Sequence, residues 1–316
     1  MAEKSMKAGY LKDALKYLTI AHENDPVDFG VMLKLGWLYN IMHQDREAIK
    51  WFKLASKSPD ESVSKEADQA YHNLAPNFAL VRTTAWAFPF YSSRWHDAFG
   101  YGQVKTEFKL GDLAVRPYVS MRFVGDVRGT VGSTLSNPAP QYLSETSFIF
   151  GAGVTTLPRY GFVGWFEAGE AVKYLTSRKD VGGMIPDFRG GIAYAKGFGH
   201  LMGGEPGFFF ETNEDGVFVS RFQNDLLLYS QNRAGYTFAQ KVQIYANFNG
   251  TTDRLHQYWA NYVESGPGVR FRLPNFPKGM LFSVNFLRGA YTVNDFNPRK
   301  PNFFDRRVGF WYAFTH

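Results

Sequence analysis

Residues Arg306 to Phe314 read "RRVGFWYAF", two residues short of the end of a 316-residue chain. Taken with a period of two, Val308, Phe310, Tyr312 and Phe314 fall on one face, and Arg307, Gly309, Trp311 and Ala313 on the other. A wholly apolar face of this kind suits a half-buried strand of a sandwich or a strand facing lipid. A soluble chain more often ends polar and frayed. The ending alone leaves both readings open.

The same period runs back through the chain. In "KVQIYANFN" Val242, Ile244, Ala246 and Phe248 alternate with Lys241, Gln243, Tyr245 and Asn247. In "AVRPYVSMRF" Val115, Pro117, Val119, Met121 and Phe123 alternate with Arg116, Tyr118, Ser120 and Arg122. "GQVKTEFKL" sets Val104, Thr106, Phe108 and Leu110 against Gln103, Lys105, Glu107 and Lys109, and "GVRFRL" sets Val269, Phe271 and Leu273 against Arg270 and Arg272. Sandwich strands alternate too but are short. Several runs here extend to roughly 10–14 residues, the length of a tilted membrane strand. The pattern predicts about 12 strands, starting near 78, 100, 114, 146, 161, 187, 207, 226, 240, 257, 278 and 305. Links after even strands look short ("GD", "LPRY", "AQ", "PNFP"), and links after odd strands are often long ("GDVRGTVGSTLSNPAPQYLSE", "TSRKDVGGMIP", "NDFNPRKPN"). That asymmetry belongs to outer-membrane barrels. In "FETNEDGVFVSRFQNDLLLY" both NEDG and QND signal turns. An even count requires a strand running through Asp215–Gly216 as a bulge, with the turn at Gln223–Asp225.

Composition bounds the whole chain, which is long enough for two domains. Aromatic residues make up 17% of the chain, with 31 Gly and 15 Pro, and mean hydropathy is −0.29. No run of about 18 apolar residues exists, so a transmembrane helix is excluded, whereas membrane strands pass unseen by a hydropathy window. With no Cys at all, disulfides and thiolate metal sites are excluded. The start, "MAEKSMKAGY", lacks the apolar core of a signal peptide.

Residues 1–75 read differently. "LGWLYNIMHQDREAIKWFKLASKSP" places Leu35, Gly36 and Tyr39, then Ala48, Phe52, Ala55 and Pro59. This spacing follows the tetratricopeptide pattern, with a small residue where helices cross and Pro closing the unit. "DALKYLTIAHENDP" repeats the second half, and Ala14 and Ala48 share its 34-residue period. "SVSKEADQAYHNL" reads as a last helix; a generic helical hairpin is the plainer alternative. Stacked repeats bury their faces on one another, so further repeats are expected before Met1. Such units bind partner proteins.

The expected fold is therefore α + β: short tetratricopeptide-type helical repeats over 1–75, then an antiparallel outer-membrane β-barrel of about 12 strands over 76–316. In a bilayer every backbone group must be paired, so the last strand has to close on the first. Arg307, Gly309, Tyr312 and Phe314 also resemble the C-terminal β-signal of bacterial outer-membrane proteins, a polar residue, Gly and two spaced aromatics, read by the barrel-assembly machinery. Thr315–His316 extend beyond that pattern, and an ordinary aromatic edge strand is the alternative.

"SRFQNDLLLYSQNRAGYTF", "YWANYVESGPGVRFRLP", "LRGAYTVND" and "DRRVGFWYAF" resemble the C-terminal domain of the phage-adsorption outer-membrane protein A family. The layout of repeats before a barrel is similar to the cellulose synthase C subunit and the poly-N-acetylglucosamine export porin. The resemblance covers roughly residues 210–316 by motif. It implies a bacterial outer-membrane location with the repeats in the periplasm, contact with outer-membrane lipid, periplasmic or inner-membrane partner proteins held by the repeats, and export of a glycan chain. A closed-barrel anchor or surface receptor is the alternative.

Residues 1–75 carry 10 Lys+Arg against 11 Asp+Glu, which leaves 25 against 18 for residues 76–316. The cations lie singly on alternate positions rather than in a patch, which argues against nucleic acid. Strand faces put Lys105, Glu107, Lys109, Arg116, Tyr118, Arg122, Lys241, Tyr245, Arg270, Arg272, Arg307 and Trp311 in the lumen. This arrangement suggests an inward basic band with anion preference and rings that stack on sugars; the alternative is that the cations pair with acids such as Glu107 and Glu167. Catalysis finds little support, and a barrel enzyme that assembles its site from distant residues is the third alternative. The seven His occupy no ligand spacing, no G-x-S-x-G or P-loop occurs, and Glu167 and Glu170 point to opposite faces of a strand. No cofactor, metal or catalytic residue is expected.

Overall fold

The computed structural model describes residues 1–111, 113–129, 145–175, 183–238, 241–277, 279–293 and 302–316, and of Tyr258 the backbone alone. Two compact units divide the chain, 1–82 and 83–316.

The first unit holds five helices: α1 (Ala2–Lys7), α2 (Leu11–Asn24), α3 (Phe29–Ile41), α4 (Asp45–Ala55) and α5 (Glu61–Leu74). Asp28 begins α3 by accepting from the Val31 N–H at 3.0 Å, and Asp60 begins α5 by accepting from Ser62 and Val63. These side-chain caps satisfy donors that a helix start otherwise leaves open. Leu35, Ala48, Phe52 and Ala55 are buried and Tyr39 half-buried. A Cβ on Gly36 would lie 2.6 Å from the Phe52 ring, so only glycine lets α3 and α4 approach this closely. Pro59 was expected among the packing residues. It is exposed in the α4–α5 link, where its fixed φ shapes the backbone.

The second unit is a closed antiparallel barrel of twelve strands: β1 (Val81–Ser92), β2 (Asp97–Phe108), β3 (Val115–Asp126), β4 (Thr146–Thr156), β5 (Phe162–Lys173), β6 (Ile185–Gly199), β7 (Gly207–Val219), β8 (Asp225–Phe238), β9 (Val242–Asp253), β10 (Tyr262–Phe271), β11 (Leu281–Tyr291) and β12 (Asn302–Thr315). Neighbours in sequence are neighbours in the sheet, and β12 pairs with β1, from Thr84 opposite Thr315 to Ser92 opposite Arg307. Closure removes every free edge.

Alternation decides what faces where. In β9 Gln243, Tyr245 and Asn247 are buried inside, while Ile244 and Phe248 are 50% and 55% exposed outside. The rule repeats round the wall: Val119 and Met121, Phe150 and Val154, Phe188 and Ile192, Val308 and Phe314 all stand outward and exposed. A protein in water would bury such residues; here polar side chains make up most of the barrel's buried set, beside smaller apolar clusters. Thr212, Glu214, Ser230 and Asn232 interrupt the outer face with a hydrogen-bonded cluster of their own.

Two expectations are corrected. No bulge occurs at Asp215–Gly216: Ala193, Asp215 and Tyr229 sit opposite one another in β6, β7 and β8, and the register is constant on both sides. The ladder tolerates an Asp there because position 215 points inward, away from the apolar outer face. The tenth strand starts at Tyr262 rather than near 257, because Tyr258–Ala260 form a single 3-10 turn. The turn expected at Gln223–Asp225 is found, with Gln223 and Asn224 both at φ +58°. Of the long links, residues 130–144, 176–182 and 294–301 lie outside the described residues, as do parts of the short "GD" and "AQ" turns.

Candidate functional site: the barrel lumen

The inward side chains surround a cavity of about 550 Å³ lined from every side of the barrel. Its walls are organised by ion pairs. Glu167 on β5 accepts from Arg122 at 2.9 Å, Ser120 at 2.6 Å and Gln103 at 3.4 Å. Arg122 also lies 4.6 Å over the Trp165 ring. Lys105 holds Glu107 at 2.7 Å and faces the Tyr118 ring. Arg270 holds Glu211 at 2.5 Å, between the rings of Phe209 and Tyr245. Arg307 makes two 2.7 Å bonds to Glu264 and a third to Asp305. Asp305 in turn accepts from Ser92 at 2.8 Å, which ties β12 to β1 across the closing seam.

These residues meet because all sit at inward positions, some two apart on one strand (Lys105 and Glu107, Asp305 and Arg307) and others on nearby strands of the curved wall. The Ser92–Asp305 bond depends on barrel closure. Buried ions need partners, since an unpaired charge in such a space costs several kcal/mol, of order 3–5 for a broken pair. The expected basic band is therefore corrected: Lys105, Arg122, Arg270 and Arg307 each hold a carboxylate. Part of the cationic excess stands elsewhere, with Lys196, Arg288 and Arg306 exposed at outward positions.

Glu107, Arg116, Tyr118, Tyr245 and Arg270 are buried inside the barrel; Lys105, Arg122 and Arg307 are half-buried there. Trp311 lines the cavity and is 42% exposed. Lys109 and Arg272 lie just past the ends of β2 and β10, and Lys241 is exposed in the turn before β9, so none of the three is carried by a strand. β2 and β10 end at Phe108 and Phe271, short of their runs, and β9 begins at Val242, one residue into its run, because turns take over there. Of the β-signal residues, Arg307 and Gly309 face in, while Tyr312 and Phe314 face out with ring centres 5.9 Å apart.

Sequence reasoning missed two groups. Near the loop end, Arg189 binds Asp187 at 2.6 Å and Glu145 at 2.7 Å, and Arg221 contacts the same two acids. These lie in three separate segments, and only Asp187 and Arg189, two apart on β6, share a local spacing. Val219, Phe222, Leu227, Trp259, Ala260, Tyr262 and Tyr291 pack into an apolar cluster at the same end. The second missed group is Trp86, Phe88 and Phe90 on β1. "TAWAFPFYS" is apolar on both faces, so its period alone does not say which face turns inward.

No protein-family model and no curated protein matches this chain. Among solved structures, it is similar to a KdgM porin in complex with disordered oligogalacturonate, 9% identical over 73% of this chain and 99% of that one, at a TM-score of 0.31. It is also similar to the COG4313 outer membrane channel from Pseudomonas putida F1, 12% identical over 74% and 95%, TM-score 0.36, and to a bacterial polysaccharide outer membrane secretin, 7% identical over 75% and 98%, TM-score 0.35. These values are too low for any role to pass from those proteins to this chain.

Proposed function

We propose that this chain is a bacterial outer-membrane barrel that conducts an exported polysaccharide, with tetratricopeptide-type helices on its periplasmic side that bind partner proteins. The observation that carries this reading is the inverted wall: apolar side chains outside, ion-paired and amide side chains inside, around a cavity of about 550 Å³. Only a lipid solvent rewards that arrangement. The resemblance of residues 210–316 to the phage-adsorption protein family, and of the layout to exopolysaccharide exporters, supports the cargo. The reading assigns passage, not catalysis, to the lumen.

Planar-bilayer recordings of the purified chain test it, with stepwise conductance as the expected result. A silent bilayer, from protein whose heat-modifiable mobility shows a folded barrel, would refute the conduit. One observation favours the second reading, a closed anchor or surface receptor: the apolar cluster around Phe222 and Trp259 packs tightly across part of the loop end.

A further inference from the structure

Five rings form a continuous row along the inner wall built by β12, β1 and β2. Trp311 stacks on Trp86 with centres 5.5 Å apart and planes 14° apart. Phe88 follows at 6.3 Å from Trp311, Phe90 lies 5.1 Å beyond Phe88, and Tyr101 continues at 6.2 Å with planes 15° apart. The row exists because Trp86, Phe88 and Phe90 occupy every second position of one strand, which sets like-facing side chains about 6.6 Å apart.

Exposure separates this row from structural packing. Phe99, which touches Phe90 at 5.4 Å, is fully buried and serves as filler. Trp311, Trp86, Phe88, Phe90 and Tyr101 all line the cavity; Trp311 is exposed and the other four are half-buried, Tyr101 partly by packing on Val124, Ile149 and Ala171. The cavity's other walls offer the complementary chemistry. Asn247 and Asn285 bond to each other at 3.1 Å, and Gln231 and Ser283 line the space beside them. Amides and hydroxyls supply donors and acceptors without charge. Of the cations lining the cavity, Lys105, Arg122, Arg189 and Arg307 are held closely by carboxylates, and Arg233 reaches Glu211 at 4.0 Å.

We infer that the β12–β1–β2 wall is a stacking track for uncharged sugar rings, whose C–H faces lie on the aromatic row while their hydroxyls reach the amides of β8, β9 and β11. This names the cargo class of the conduit reading and rests on it.

The test uses the full chain in detergent, with cellohexaose as a neutral probe and tetragalacturonate as an anionic one, followed by tryptophan emission. Cellohexaose is expected to bind saturably and more tightly than tetragalacturonate. Trp86→Leu and Trp311→Leu should each weaken it by roughly 3- to 10-fold. Phe90→Leu keeps an apolar side chain and removes only the ring, so it answers the question even where a tryptophan variant folds poorly; its binding is read by calorimetry. Equal binding of the two probes, or unchanged affinity in Phe90→Leu and either tryptophan variant, overturns the inference. A conducting barrel that ignores cellohexaose overturns the track and spares the conduit. A silent barrel that binds cellohexaose through Trp86 removes the conduit and leaves a glycan-binding receptor.

Discussion

Gly309→Ala probes the closing seam directly. The backbone at Gly309 lies outside the left-handed region, so alanine meets no conformational barrier there. The obstacle is contact: a Cβ would stand 2.4 Å from the Pro89 carbonyl oxygen and 2.7 Å from the Phe90 Cβ, against the 3.4 Å at which ordinary contact begins. One strand must give way by about 1 Å. The seam is thin at this point. Phe88 and Pro89 are missing from the β1–β12 register, and Pro89 has no N–H to donate, so Phe90 opposite Gly309 is the first pair beyond the gap. Overpacking costs about 1–3 kcal/mol, and a weakened backbone bond about 1 more. Loss of glycine's unfolded-state freedom returns about 0.4–1. The net expectation is destabilisation of about 1–3 kcal/mol. Gly164→Ala is the control, because its nearest neighbour is Thr156 at 3.7 Å. Urea unfolding in phospholipid vesicles, followed by tryptophan emission, should show a lower midpoint for Gly309→Ala and none for Gly164→Ala. Identical midpoints for the two variants would refute the close-approach argument.

Ala246→Arg puts a cation on the outer face of β9 and should cost about 2–4 kcal/mol near the bilayer midplane, seen as poorer vesicle folding with detergent folding spared. Glu167→Ala leaves Arg122 without its carboxylate and should cost about 3–5 kcal/mol. A double variant with Arg122→Ala that recovers none of that loss would show the pair to be incidental. In the helical unit, the Ser62 hydroxyl first, and then the Ser62 and Val63 N–H groups, hold Asp60 below its ordinary value of 3.8. A depressed carboxylate stabilises above its unfolded value and loses that support as pH falls through its folded one. Helix melting should therefore become easier in acid below about pH 4, and Asp60→Asn should flatten that slope.

Much of the barrel was legible because lipid outside and polar contents inside force a strict period of two. The fourth and seventh strands begin at Thr146 and Gly207, at the positions that the alternation indicates. Legibility failed where that force is absent. β1 is apolar on both faces, so the inward turn of Trp86, Phe88 and Phe90 follows only from pairing with β12. The Asp187–Arg189–Glu145–Arg221 group is assembled by nearby strands that bring three distant segments together, so spacing reveals only its Asp187–Arg189 part. Net charge misled for the same reason: it sums over both faces, whereas the lumen sees one. At Tyr258–Ala260 the alternation continues into a segment whose backbone leaves the sheet to pack Trp259 into the apolar cluster.

Every ladder from β2 round to β12, and the β12–β1 seam, keeps one register from end to end. At Pro89 and at Gly266–Pro267 rungs are missing, yet pairing resumes in the same frame. A tube laced in this way resists dilation. To widen, it would have to break hydrogen bonds along a whole strand and expose both sides of the tear to hydrocarbon. Its aperture is thus decided by furniture rather than masonry: by the rotamers of rings such as Trp86 and Trp311, and by loops such as 220–224 that lean over the rim.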